Sequence, residues 1–465
     1  MKYKSKRPPR VKQAEALKEI AGRDNFALLM EMRTGKTKVI IDDWAAGDVE
    51  DLLVIAPAGA YLPWAQALKD ELPPGYDHTL YIWRSSKREA TTDFLAARTR
   101  RVLLMNVEAL STIAAARELC ERFLSQRRSM CVIDESVIIK THDAKRTKFV
   151  VQRLGPLAAK RRILSGLPTP KSPLDLYCQF EFLDPNILNF ENYYAFRARY
   201  AVLQKMRVGG RSIDIVVGYK NTEELNAKIA PHSFRVRLDE CYDMPANDYS
   251  VCHVELTDEQ RRVYAEMKSF ATARLESGTH VTAHAVIAQM LRLHQVLCGH
   301  TTDENGQLQL IPELRTQALR GLLTGYEGKA VVWCSYDADV RRLSTAFPGE
   351  KIARFWGGNV ATREAEEAMF KNDPECRIMI ATAAAGGRGR TWDVADLVIY
   401  YSNTNNLDHR MQSEERAKNV GKARSVGYID LLAAGTVEDK IIQALRAKID
   451  MAAQITGDTW RQWLV

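Results

Sequence analysis

Two series of short apolar runs, each run followed by a turn and then a stretch of helical periodicity, constrain this chain more than any other feature. The first series is FALLM (26–30), LLVIA (52–56), VLLM (102–105), CVID (131–134) and RRILS (161–165); the second is AVVWC (330–334), RIMIA (377–381), LVIYY (397–401) and YIDLL (428–432). A strand in a parallel sheet covered by helices on both faces buries both its sides, so it reads as a continuous apolar run rather than an alternation. Two series therefore predict two α/β lobes. The length of 465 residues suits that count, because a single hydrophobic core stops growing well before it.

Between the two series the sequence changes character. Residues 191–245 are rich in aromatic and basic side chains, and Gly209–Gly210 between two strand-like stretches predicts a hairpin turn. From about 255 to 325 apolar residues recur at three- and four-residue spacing, as in TDEQRRVYAEMKSF and HAVIAQMLRLHQVL, which predicts helices; TTDENGQ (301–307) reads as a polar loop. The expected organisation is an N-terminal lobe over 1–190, a connecting segment with a hairpin over 191–245, a helical insertion over 246–325 and a C-terminal lobe over 326–465.

Composition narrows the class. Hydrophobic residues at 46% and charged residues at 27% are ordinary for a soluble globular protein. No stretch approaches the roughly 20 apolar residues of a membrane span, and the basic start MKYKSKRPPR has no apolar segment behind it, so the expectation is a soluble cytoplasmic protein. The eight cysteines are scattered without a C-x-x-C pair, and several lie inside apolar runs such as MCVID and VVWCS, where a thiol serves as a small core side chain. The net charge of +8 is compatible with a polyanionic partner.

The sharpest local signal is MEMRTGKT (30–37), directly after a strand run and before the helix-like KVIIDDWA. In loops of the form G-x-x-x-x-G-K-[ST], backbone N–H groups cradle phosphates, the lysine reaches the β- and γ-phosphates and the hydroxyl binds Mg²⁺. Gly35, Lys36 and Thr37 fit this pattern, Arg33 and Thr34 lie within it, and Met30 stands at the first glycine position. The helix opening at Lys36 adds its N-terminal dipole. CVIDES (131–136) carries an acidic pair to the carboxyl end of a buried strand, where open α/β sheets place their ligands. There Asp134 would hold the Mg²⁺ and Glu135 would orient and deprotonate the attacking water.

Taken in order, the blocks resemble those of superfamily 2 helicases, and in particular the Swi/Snf-type ATPases in their compact, bacteriophage-encoded versions. RVKQAEAL, with Gln13, resembles the family's adenine-reading segment; VIAPAGAYLPWAQAL (54–68) resembles motif Ia; LLMNVEAL (103–110) and LSGLPTPKSPLDLYCQFEFLDP (164–185) resemble the blocks that follow. In the second half, MLRLHQVLCG (290–299), KAVVWCSYDADV (329–340), ATAAAGGRGRTWDVADLVIYYSNTNN (381–406) and RMQSEERAKNVGKARSVGYIDLLAAGTVEDKI (410–441) resemble the helix before lobe two and motifs IV, V and VI.

The resemblance implies two RecA-like lobes, ATP and Mg²⁺ as cofactors, double-stranded or branched DNA as partner, a monomeric chain, and Gly387, Arg388 and Arg416 brought to the nucleotide. For a bacteriophage-encoded member it implies the host cytoplasm. The sequence departs from the family at Asn419, where motif VI usually has its second arginine, at Leu167 in place of a threonine, at Val137, and at Lys422 where glutamine is common. Basic residues follow the acidic motif (Lys140, Lys145, Arg146, Lys148) and mark the hairpin region (Arg197, Arg199, Lys205, Arg207, Arg211), with Tyr193, Tyr194, Phe196 and Tyr200 among them. Arg197, Arg199 and Arg211 are the expected nucleic-acid residues, together with Trp392 in motif V, which reads either as core or as facing the nucleic-acid track. The functional expectation is an ATP-dependent DNA translocase. The alternatives are a DNA-binding ATP switch or scaffold with weak or lost hydrolysis, motivated by the departures, and an RNA-directed helicase.

Overall fold

The computed structural model describes residues 3–57, 61–84, 91–208, 211–243, 247–276, 283–303, 305–383, 385, 391–404, 406–418 and 425–456. The chain divides into two compact units, the first made chiefly of residues 1–203 and 216–243, the second chiefly of 244–449.

In the first unit the strands are β1 (Asn25–Met30), β2 (Asp51–Ala56), β3 (His78–Ile82), β4 (Arg100–Asn106), β5 (Ser129–Asp134) and β6 (Lys160–Leu164). A hairpin follows, β7 (Ala201–Val208) with β8 (Arg211–Tyr219), of which Gln204–Ile215 groups with the second unit, and then β9 (Ser233–Val236) in the first. Apart from the hairpin they form one sheet in the order β3-β4-β2-β5-β6-β1-β9, every pair parallel. Alternate residues of one strand serve opposite faces. Ala27, Leu29, Leu53 and Ile55 enter one core, and Phe26, Leu28, Leu52 and Val54 enter the other. Both faces are therefore covered, which is why these strands read as unbroken apolar runs.

The second unit repeats the plan with β10 (Asp248–His253), a small antiparallel pair β11 (His300–Thr302) and β12 (Leu308–Leu310), then β13 (Ala330–Cys334), β14 (Ile352–Phe355), β15 (Ile378–Thr382), β16 (Leu397–Tyr400) and β17 (Gly427–Leu432). Its parallel sheet has the order β10-β17-β16-β13-β15-β14. Val331 and Trp333 face one core; Val332 and Cys334 face the other.

The expected helices are present as Asp258–Glu276 and Ala283–Leu297. The stretch 301–307 is not a loop throughout, because Thr301 and Thr302 belong to β11, which pairs with β12. The expected hairpin pairs as β7 with β8, while Gly209–Gly210 lie outside the described residues. Two of the expected segments are built differently. β9 belongs to the first sheet although it lies in the stretch read as a connection, and β10 edges the second sheet although it lies in the stretch read as a helical insertion. Among the described residues no helix is long and apolar enough to cross a membrane.

Candidate nucleotide site

Because β5, β6 and β1 are neighbours and parallel, the segments leaving their carboxyl ends lie in a row: Asp134–Glu135, the SGLPTP block (165–170) and the loop 31–35. The loop runs from Met30 into the helix Lys36–Ala46, whose cap is Gly35 at φ +91°. That conformation favours glycine, and any larger residue would also have to displace the end of the Gln13 side chain. A Cβ at Gly35 would meet the Gln13 amide nitrogen at 2.0 Å.

Gln13 is buried beside the loop in the helix Val11–Ile20. Its side-chain oxygen accepts the Arg10 amide at 2.9 Å and its nitrogen donates to the Thr34 carbonyl at 3.3 Å. The residue expected to read adenine braces the loop. Thr34 turns inward, its hydroxyl donating to the Glu31 carbonyl at 2.7 Å. The Lys36 ammonium donates to the carbonyls of Met30 at 2.7 Å and Glu31 at 3.1 Å, so its charge is held within the loop. Thr37 is the second residue of the helix. Gly166 packs against the same loop, where a Cβ would lie 3.4 Å from the Glu31 Cα and the Met32 nitrogen.

On β5 the Asp134 carboxylate accepts the Trp64 indole N–H at 2.8 Å through Oδ2 and the Glu135 amide at 2.9 Å through Oδ1. Two donors fix its orientation while leaving lone pairs for a hard cation, the chemistry Mg²⁺ requires. Glu135 has φ +51° and ψ +61°, left-handed values for a non-glycine residue. Such a conformation costs on the order of 1–3 kcal/mol and persists where the surroundings enforce it. The next residue, Ser136, donates to Gln179 Oε1 at 2.5 Å, and Gln179 Nε2 donates to the carbonyls of Pro168 at 2.8 Å and Asp175 at 2.7 Å. One fully buried glutamine thereby joins the acidic motif to the SGLPTP block. Trp64 and Gln179 lie inside blocks that resemble the family, and nothing in their spacing distinguishes them from packing residues. Val137 is buried in the turn after Glu135.

In the second unit Arg416 lies at the end of the helix Leu407–Ala417. Arg410 anchors that helix to β17, donating to Asp430 at 2.6 and 3.1 Å and to Glu414 at 2.7 Å, with its guanidinium 3.5 Å from the Tyr400 ring centroid. The Arg416 guanidinium lies over the indoles of Trp333 and Trp392, at 5.4 and 5.0 Å from their centroids. Trp392 corrects the expectation of a nucleic-acid residue. Its ring is fully buried, stacks on Trp333 at 5.3 Å and donates to Glu367 at 3.1 Å, so it is core and a platform for Arg416. Lys418 pairs with Glu415. Gly387, Arg388, Asn419 and Lys422 lie outside the described residues.

A second buried cluster brings His294, Cys298 and Glu438 within 4.8 Å of one another. The Glu438 oxygens already accept Arg315 at 2.8 Å each and the Ala433 amide at 2.7 Å. His294 approaches the same carboxylate at 3.2 Å, and its other nitrogen meets the Tyr336 hydroxyl at 2.8 Å. Burial alone would raise Glu438, but Arg315 and His294 hold it down to about 2. This cluster is a structural brace rather than a vacant ligand set.

Of the basic residues expected at nucleic acid, Arg197 and Arg199 lie on the helix Tyr193–Tyr200, whose Phe196 and Tyr200 are buried. Arg199 pairs with Glu224. Arg211 begins β8. Tyr193 stacks on His142 at 3.8 Å, which ties this helix to the basic segment after the acidic motif.

Two parallel sheets, each covered on both faces by helices, define a two-lobed α/β protein of the RecA-like class. A model of the SNF2-related domain matches residues 17–302, more than half of the sequence. The chain belongs to the SNF2-related family. It is similar to the TATA-binding protein-associated factor mot1 of Aspergillus fumigatus, 26% identical over 375 residues that cover 70% of this chain and 20% of that protein. It is also similar to the DNA annealing helicase and endonuclease ZRANB3 of Mus musculus, 23% identical over 450 residues that cover 92% of this chain and 38% of that protein. The chain thus spans about a fifth of the length of the first relative and under two fifths of the second. Among solved structures it is similar to the Sulfolobus solfataricus SWI2/SNF2 ATPase core in complex with dsDNA, at 19% identity and a TM-score of 0.43, with 98% of this chain and 96% of that chain covered.

Proposed function

We propose that the chain is an ATP-hydrolysing motor stimulated by double-stranded or branched DNA, which it tracks along so as to remodel DNA structures or protein–DNA complexes. The observation that carries the reading is the row of segments at the carboxyl ends of β1, β6 and β5, in a member of the SNF2-related family. ATP–Mg²⁺ fits the residues there: a glycine-capped loop with a lysine and a threonine at a helix start, and a carboxylate already aimed by two donors.

In this reading Lys36 holds the β- and γ-phosphates, Thr37 and Asp134 hold the metal, and Glu135 orients and deprotonates the attacking water. Gln13, Arg33, Thr34 and Gly35 shape the nucleotide's seat. Mg²⁺, when bound, neutralises charge on the transferring phosphoryl group. Arg416, with Gly387 and Arg388, is assigned to the same phosphoryl group on the strength of motifs V and VI. DNA as partner rests on the family, on the names of the relatives and on the run of basic residues in the sequence that includes Arg197, Arg199 and Arg211. Kinship to compact bacteriophage-encoded members, and with it a host-cytoplasm location, belongs to the same proposal.

The test separates binding from turnover. Lys36→Ala should lose nucleotide binding, because the phosphates lose their point charge. Glu135→Gln should retain nucleotide and stop turnover, because the metal seat survives and the base does not. Parental hydrolysis by both variants would place the chemistry elsewhere.

A further inference from the structure

β9 runs parallel to β1 and in register with it, Ala27 beside Ser233 and Met30 beside Val236, so the loop after β1 and the segment after β9 leave the sheet side by side. The Glu31 amide extends that ladder by one bond to the Val236 carbonyl at 3.0 Å. Its carboxylate accepts the Leu238 amide at 2.9 Å, at the first residue of the 3-10 turn Leu238–Glu240. Further along the loop the Arg33 carbonyl accepts the Tyr242 hydroxyl at 3.3 Å, and Arg33 itself holds φ +64°. A non-glycine residue keeps that conformation where its surroundings fix it.

Two more contacts converge on the same stretch. The Arg10 guanidinium, at the cap of the Gln13 helix, lies 5.1 Å from the Tyr242 ring centroid. Arg235 donates to the carbonyls of Leu29 at 2.9 Å and Gly166 at 3.0 Å. Residues 235–242 therefore touch the phosphate loop, the glutamine helix and the SGLPTP block. They are also the last residues of the first unit before the chain passes into the second.

Lys36 donates to the carbonyl of Glu31, the residue whose amide and carboxylate hold this stretch. A phosphate that draws the ammonium toward itself changes the bonding at Glu31. We propose that Glu31 and Tyr242 are positioning residues that clamp segment 237–242 to the loop, so that a nucleoside triphosphate in the loop is sensed by the chain entering the second unit. Neither residue touches the reacting atoms. The proposal rests on the reading of 31–37 as a phosphate-binding loop.

The test uses the full chain as parent, Glu31→Ala, Glu31→Gln and Tyr242→Phe, with a non-hydrolysable ATP analogue as probe. Analogue Kd, DNA-stimulated kcat and backbone hydrogen exchange over 237–243 are measured for each. In the parent the analogue should slow exchange across 237–243. Glu31→Ala should abolish that slowing and lower kcat about tenfold, with Kd changed by no more than about threefold. Glu31→Gln keeps an oxygen for the Leu238 N–H and should keep the parental response. Tyr242→Phe should lose part of it.

A merely structural role would lower the thermal midpoint and leave the nucleotide-dependent slowing intact in the folded protein. Parental exchange response and kcat in Glu31→Ala, or in Tyr242→Phe if the alanine variant does not fold, would overturn the clamp and leave the loop reading standing. Failure of the parent to bind the analogue would overturn both.

Discussion

Asp134 presents two oxygens, each with a donor, and the Trp64 indole supplies the one that comes from another element of the fold. A group that orients a metal-binding carboxylate commonly changes metal affinity or activity by about 10–100-fold when removed. Trp64→Phe keeps an aromatic ring but removes the N–H together with the pyrrole part of the buried indole, so its effect is read in the folded protein beside a thermal midpoint. It should weaken the Mg²⁺ dependence of turnover by about tenfold, read as a shift in the Mg²⁺ midpoint at saturating ATP; an unchanged midpoint would remove Trp64 from the metal seat.

Trp392 lends itself to the opposite test. As a fully buried ring under Arg416, its replacement by alanine should cost about 3–5 kcal/mol of stability and leave the salt dependence of DNA binding unchanged in the folded protein. A flattened salt slope would restore it to the nucleic-acid track. The sequence placed Trp392 in motif V but carried no sign of which way the ring points, since a core tryptophan and a surface one have the same letter and the same neighbours. Gln13 was legible as a family position, and its second task of filling the space beside Gly35 was not, because that space exists only once the loop has folded over the helix.

At the scale of elements, the strands that escaped the apolar-run reading are informative as a set. β3, β9, β10 and β14 are the four edge strands of the two large sheets. An edge strand meets a neighbour on one side only and is partly open to water, so it keeps polar residues. His78–Ile82 is half-buried throughout and Asp248–His253 is exposed or half-buried at every position, whereas the central strands are buried almost end to end. Continuous hydrophobicity therefore reveals interior strands and hides edges. The same limit caused 191–245 to be read as a connection, since β9 is short and carries Ser233 and Arg235.

Within the second unit, burial also governs Asp339. It sits in the first turn of the helix Asp337–Ala346, accepts the Ser402 hydroxyl at 2.7 Å and is fully buried, which pushes its carboxyl up to about 7 from 3.8. A folded value above the unfolded one means that the stability tied to this group is fully present below the unfolded value and is lost as pH rises through the folded one. Asp339→Asn keeps an oxygen for Ser402 and removes the titration. The parent's Tm relative to this variant should therefore fall as pH rises from about 4 to about 7 and then level off. A difference in Tm that stays constant over that window would contradict the buried-acid assignment.

For the whole molecule, the order of the motifs along the chain carried the family, and the family model spans more than half of the sequence. What the sequence withheld at this scale is how the segment after β9 is tied to the loop after β1, because that depends on main-chain hydrogen bonds such as Glu31 to Val236 that no side-chain pattern encodes. Binding to duplex DNA should weaken steeply with salt and vary little with base sequence, since backbone phosphates contribute most of the free energy.

The most direct test of the motor assignment is steady-state ATP turnover by the parent, with and without saturating duplex DNA at low salt, beside Glu135→Gln under the same conditions. The expected result is slow turnover alone, a rise of about tenfold or more on adding DNA, and no turnover by Glu135→Gln in either case. Turnover by the parent that does not respond to duplex, forked, four-way or single-stranded DNA, or that survives intact in Glu135→Gln, would contradict it.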